Sequence, residues 1–152
     1  MQADPSKPSP APAERRSVVA LWRYPVKSMI GEELNAAEVT ERGLVGDRQF
    51  AVADAATGKV AGAKNPRKWG NFFEFRAAYV ELPKSGSKLP AVRVTLPDGE
   101  VVTSDEPDLS QALSRALGRE VTFAKAGHDG ETAAHRPRST GRTWTGSTSE
   151  IR

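Results

Sequence analysis

The segment LWRYPVKSMIGEELNAAEVTERGLVGDRQFAVAD, running from Leu21 to Asp54, decides how the chain folds. It carries two compact polar groups, Tyr24-Pro25-Val26-Lys27-Ser28 and Gly46-Asp47-Arg48, each at the end of an expected β-strand. Upstream, Val18, Val19, Ala20, Leu21 and Trp22 form an apolar run, so Ser17 to Tyr24 reads as the first strand. Pro25 keeps Tyr24 extended and has no N–H to give to a ladder, so pairing should change character there. Lys27 and Ser28 then emerge just past the strand, where side chains and backbone N–H groups can face a ligand.

Downstream of the motif, Glu33 to Thr40 reads as a second strand, interrupted by the poor strand formers Asn35-Ala36-Ala37. Gly43 and Gly46 flank Leu44-Val45, and this paired-glycine turn delivers Asp47-Arg48 to the next strand. Arg48 to Ala53 alternates, with Phe50 and Val52 on one face. Asp54 to Gly58 should close a hairpin into Lys59 to Ala63. Lys64 to Gly70 is a basic loop or short helical turn, and Asn71 to Val80, the densest aromatic stretch, should supply core. After a polar loop from Leu82 to Pro90, Val92, Val94 and Leu96 alternate into Pro97-Asp98-Gly99 and return through Glu100 to Thr103, a hairpin pattern. Pro107 to Leu117 reads as a helix, with Pro107 at its start, Asp105 as cap and Gly118 as its end. Leu109, Ala112, Leu113, Ala116 and Leu117 form its apolar stripe. Glu120 to Ala126 closes the series as a strand. The expected fold is therefore mainly β, antiparallel and barrel-like or sandwich-like, with one covering α-helix in the C-terminal half and α+β character at the margin.

A chain of 152 residues is of single-domain size and can bury a real core. Its 22 basic and 19 acidic residues are too evenly mixed to argue for nucleic acid by themselves. With no cysteine, disulfides, thiolate metal sites and cysteine nucleophiles are excluded within this sequence. The two histidines, His128 and His135, both fall in a polar C-terminal stretch, which disfavours a histidine metal site or a Ser/His/Asp triad. No run approaches the ~20 apolar residues that span a bilayer, and residues 1–16 lack the apolar core of a secretory signal, so the cytosol is the expected compartment. Residues 1–16, rich in Pro, Ala and Ser, read as a disordered arm. Residues 127–152 show neither helical nor strand periodicity and read as a flexible tail, or as the product of a frame slip or truncation that replaced a further domain.

Lys27 offers an ammonium charge beside the Ser28 hydroxyl, and Arg48 a planar fork that can hold two oxygens of one anion. These residue types suit a phosphate grip, with Asp47 orienting Arg48 or closing a turn. The same residues suit a solvated strand edge and a structural turn, and the pattern alone leaves both readings open. Lys64, Arg67, Lys68 and Trp69 could hold a pterin, a nucleotide or single-stranded nucleic acid by charge and stacking, or form a solvated loop with Trp69 tucked inward.

At Tyr24-Pro25-Val26-Lys27-Ser28, Gly43-Leu44 and Gly46-Asp47-Arg48-Gln49-Phe50-Ala51-Val52, continuing through Gly58-Lys59-Val60 and Lys64-Asn65-Pro66, the sequence resembles a known family. It is similar to the N-terminal β-barrel domain of MOSC (molybdenum-cofactor sulfurase C-terminal) proteins, which include the amidoxime-reducing components and YcbX-like reductases. The resemblance spans about residues 17–126. It implies a molybdenum-cofactor-dependent oxidoreductase or sulfur-transfer protein in which this domain packs on a MOSC domain with molybdopterin between them. It further implies that Lys27, Ser28 and Arg48 contact the cofactor and its phosphate, with Lys64 as a further basic contact. A family-level association with pyridoxal phosphate comes with it, as do a MOSC domain or redox protein as partners; beside it, the composition disfavours nucleic acid and the lack of a long apolar run argues against a membrane. The family's metal-binding cysteine belongs to the MOSC domain, and this chain has none. The resemblance therefore implies half a cofactor site, with no catalytic residue and no metal ligand assigned here. The alternative is a non-catalytic interaction domain or homo-oligomer.

Overall fold

Short strands wrap a single aromatic and aliphatic core in the computed structural model, which describes residues 17–126. In chain order the elements are β1 (Trp22–Arg23), β2 (Glu32–Glu33), β3 (Val39–Thr40), β4 (Gly43–Leu44), β5 (Phe50–Asp54) and α1 (Pro66–Trp69). A 3₁₀ turn (Phe72–Glu74) leads to β6 (Arg76–Tyr79), β7 (Val92–Thr95), β8 (Val101–Thr103), α2 (Leu109–Leu117) and β9 (Val121–Lys125). Every ladder between named strands is antiparallel: β1 with β2, β3 with β4, β5 with β9, and the meander β6-β7-β8. The fold is mainly β, as the pattern predicts, and the strands form four small sheets rather than a closed barrel.

The Tyr24–Ile30 segment joins two of these sheets. Val26 forms a parallel bridge to Phe50 at the start of β5, and Ile30 a parallel bridge to Arg76 at the start of β6. The Lys27 N–H donates to the Phe50 carbonyl at 2.9 Å, and the Phe50 N–H to the Pro25 carbonyl at 3.0 Å. Four residues on, the Ile30 N–H donates to the Phe75 carbonyl at 2.9 Å and the Ala77 N–H to the Ile30 carbonyl at 2.8 Å. Pro25 sits where its missing donor costs nothing, because its carbonyl makes the contact. Val26 and Met29 point into the core with Val52, Phe72, Phe75, Val92, Val94 and Leu113. Removing so much apolar area from water is the main force holding the sheets together.

The α2 stripe behaves as its spacing predicts. Leu109, Ala112 and Leu113 are buried, and the helix packs against β8 and β9. Gly118 adopts φ 63°, ψ 29°, and the Arg119 N–H donates to the Ser114 carbonyl at 3.0 Å, a left-handed ending. Two helix serines staple α2 to β9: the Val121 N–H donates to Ser114 Oγ at 2.9 Å and the Phe123 N–H to Ser110 Oγ at 3.1 Å.

Local pattern misplaces several boundaries. The first strand shrinks from Ser17–Tyr24 to Trp22–Arg23, and Val18 and Val19 are exposed, because an apolar run pairs only where a partner lies alongside it. The second strand splits into β2 and β3 around Asn35-Ala36-Ala37, its weakest stretch. The 54–63 hairpin is reduced to one bridge, Ala53 to Val60, with the Asp54 N–H donating to the Lys59 carbonyl at 2.9 Å and the Ala61 N–H to the Val52 carbonyl at 2.7 Å, while the other edge of β5 pairs along its whole length with β9. All five β5 residues are buried, so Phe50 and Val52 do not define a single inner face. Asp105 does not cap the helix, which begins at Leu109 after a turn in which the Glu106 carboxylate accepts the Thr103 N–H at 2.9 Å. Of the aromatic stretch, Phe72 and Phe75 are core while Phe73 is 62% exposed. The expectations for residues 1–16 and 127–152 lie outside the described residues.

Gly31 marks the tightest point of the β1–β2 crossing: a Cβ there would stand 2.1 Å from the Arg23 carbonyl oxygen. Gly31→Ala should therefore destabilise the fold by at least about 2 kcal/mol in chemical denaturation, the range of core overpacking, while Gly62→Ala, whose Cβ would meet only Ser28 Oγ at 3.6 Å, keeps more of its stability.

Candidate functional site

Lys27, Ser28 and Arg48 line one cleft of ≈ 350 Å³, walled by Tyr24, Met29, Ala63 and Phe73. Backbone contacts bring them there. The Arg48 N–H donates to the Tyr24 carbonyl at 2.7 Å, and the Tyr24 N–H to Asp47 Oδ1 at 2.9 Å, so the two sequence motifs are laced together residue by residue. Asp47 thus closes the junction, and its ion pair with Arg48 Nε is long, 3.8 Å. The Arg48 side chain stays 69% exposed, so its charge remains largely available to a ligand. The cleft wall holds two cations, the hydroxyl-bearing Ser28 and Tyr24, and no carboxylate.

Ser28 and Arg48 share a second property. Their φ angles, 70° and 50°, place them in the left-handed region, and no other non-glycine residue among the described ones is found there. That conformation costs a side-chain-bearing residue about 1–2 kcal/mol, and surrounding contacts must hold it. At Ser28 the hold is the Ala63 N–H, which donates to Oγ at 3.3 Å. This leaves the hydroxyl proton free to turn toward an anion.

The GDR turn is fixed from behind by residues that pattern reading passed over. Gly46 has φ 86°, and a Cβ there would lie 2.8 Å from both the Tyr79 ring and Pro83, so only glycine suits the position. Tyr79 Oη donates to the Gly46 carbonyl at 2.9 Å, and burial pushes its phenol well above the usual range, keeping it a neutral donor. Arg23, 3% exposed, lies over the Tyr79 ring at 5.0 Å and pairs with Glu32 at 2.8 Å. An arginine inside the apolar run Leu21-Trp22-Arg23-Tyr24 was the available signal, since a buried charge requires a partner.

Lys64 stands in an adjoining cleft of ≈ 300 Å³, which shares Lys27 and Ser28 with the first and adds Lys59, Lys68 and Asp54. Here Asp54, 2% exposed, pairs with Lys68 at 2.6 Å and with Arg119 at 3.4 Å. The hydrogen bond from Lys68 pulls its carboxyl from 3.8 to about 2, against burial and with help from the Thr57 and Ala56 N–H groups. Trp69 is buried, with Lys68 at 5.3 Å and Arg119 at 5.2 Å from its ring centre. The basic loop thus keeps its aromatic as packing rather than as a platform for a base.

The sequence matches the MOSC N-terminal beta barrel domain over residues 15–133, well over half its length. The chain belongs to that family. No curated protein and no solved structure matched it. As a MOSC N-terminal domain, it is a member of a family generally associated with the molybdenum cofactor. Among its described residues no helix is long and apolar enough to cross a membrane, and no group of three or more His, Cys, Asp or Glu residues could hold a metal.

Two outcomes follow for this MOSC N-terminal domain. Because the Asp54 carboxyl is depressed, the stability it confers is present above the ordinary carboxylate range and is lost as pH falls from about 4 toward 2. Denaturant titrations should show Asp54→Asn less stable than wild type at pH 7, with the gap closing at pH 2. Arg48→Gly, which relieves the left-handed strain at the cost of some unfolded-state entropy, should raise stability by about 0.5–1 kcal/mol in the same measurement.

Proposed function

We propose that this domain supplies phosphate and pterin contacts to a molybdenum cofactor held against a MOSC domain. The observation that carries the reading is the single cleft around which Lys27, Ser28 and Arg48 stand, without a carboxylate in its wall. In this reading Lys27 contributes a point charge, Arg48 a bidentate fork and Ser28 a hydroxyl donor to the phosphate. Tyr24 and Phe73, both exposed, offer apolar faces to a fused ring. Lys64 acts from the adjoining cleft. The donor set suits the anionic end of the cofactor, and no residue here is assigned to its metal. When bound, the molybdenum would supply oxidation–reduction or sulfur-transfer chemistry, while this chain anchors, orients and partly shields the ligand. A MOSC domain or a redox protein is the partner that would cover the open side.

The test is calorimetric titration of molybdopterin, or of inorganic phosphate as its mimic, into wild type and the Lys27→Ala/Arg48→Ala variant. Loss of two charge-assisted contacts should weaken binding by about 100-fold or more, at roughly 1.5–3 kcal/mol for each hydrogen bond to a charged group. Indistinguishable affinities would remove the site.

The second reading, a non-catalytic interaction domain that pairs with itself, rests on the exposure of Phe73 and of Val18 and Val19. Light scattering decides it. A dimer that Phe73→Ser returns to monomer favours self-association, and a monomer at every concentration rejects it.

A further inference from the structure

The two clefts share a wall. Lys27 and Ser28 line both, with Arg48 on one side and Lys59 and Lys64 on the other. The ridge between them is a fixed object rather than a mobile side chain. Lys27 is tied by its backbone to β5, and Ser28 by its hydroxyl to the Ala63 N–H on the loop that carries Lys64. In the second cleft the Asp54 carboxylate is engaged by Lys68 and Arg119, which uses the Lys68 charge internally and blunts the repulsion Asp54 would exert on an anion. Among the described residues, Lys27, Lys59 and Lys64 make no ion pair, so three ammonium groups border this cleft with their charges uncommitted.

We infer that the second cleft is a separate anion subsite, and that the preferred ligand carries two phosphate-class groups, one on each side of the Lys27–Ser28 ridge. This deepens the proposed function and rests on it, since the first group occupies the Arg48 cleft. A molecule with a single phosphate satisfies only one side. A second anionic group on the same molecule binds at high effective concentration once the first is seated. Lys59 and Lys64 are then the residues that distinguish bisphosphates from monophosphates, while Arg48 serves both.

The experiment titrates inorganic phosphate, pyrophosphate and fructose 1,6-bisphosphate into the full chain at constant ionic strength. Wild type should bind at least one of the two bisphosphates tenfold or more tightly than phosphate. Lys59→Ala/Lys64→Ala should erase that preference by weakening the bisphosphates more than phosphate, whereas Arg48→Ala weakens all three ligands. Lys84→Ala/Lys88→Ala, which removes the same charge from outside both clefts, should keep the preference. Phosphate binding without any bisphosphate preference overturns the second subsite and spares the proposed function. Equal loss from the two double-lysine variants also overturns it, because net charge alone would then explain the effect. Absence of all phosphate binding overturns both readings together.

Discussion

Two parallel backbone bridges, Val26 to Phe50 and Ile30 to Arg76, are the constraint on which the rest of the molecule depends. The antiparallel ladders are local or close neighbours in space, and each could form without fixing how the sheets face one another. The Tyr24–Ile30 segment bridges by its backbone to the β5–β9 pair at one end and to the β6-β7-β8 meander at the other, while α2 covers both through side chains. Its inward residues, Val26 and Met29, seal the core at that seam. Its outward residues, Lys27 and Ser28, are consequently held wherever the two sheets meet. Fold and site are consequences of one seam.

The seam also explains where strain is kept. Left-handed φ angles at Ser28 and Arg48 are unfavourable in isolation; Ser28 sits one residue beyond the Lys27–Phe50 backbone bond, and Arg48 itself donates its N–H to the Tyr24 carbonyl. The core's burial energy is ample to sustain two such residues. Behind them, the Arg23–Glu32 pair and the Tyr79 phenol brace the Gly46 turn from the protein side. The cationic groups facing solvent need no brace of that kind, because water screens them until a ligand arrives.

Much of this was legible in the amino-acid order, and the reasons for the rest are physical. The 92–103 hairpin and the α2 stripe are local patterns with their own turn chemistry, and both stand close to where periodicity puts them. The grouping of Lys27, Ser28 and Arg48 around one cleft follows from the motif spacing together with the family resemblance. Strand pairing was not legible. That β5 would carry β9 as a full ladder on the edge away from the Lys59–Ala63 segment depends on a partner some seventy residues away, and no local window holds that information. Phe73 was hidden for the opposite reason: its neighbours Phe72 and Phe75 are core, and a 3₁₀ turn rotates the residue between them outward. The Asp54 hub required knowledge that β5, α1 and the segment after α2 converge.

The division of labour within the Tyr24–Ile30 segment has a consequence for how such a domain can diversify. Main-chain amides and carbonyls set its position, and positions 25, 26 and 29 commit their side chains to the interior. Lys27 presents its side chain to solvent without any structural duty among the described contacts. Evolution or an engineer can therefore rewrite the chemistry at position 27 almost as one changes a tool in a chuck, selecting new cargo while the scaffold stays as it is.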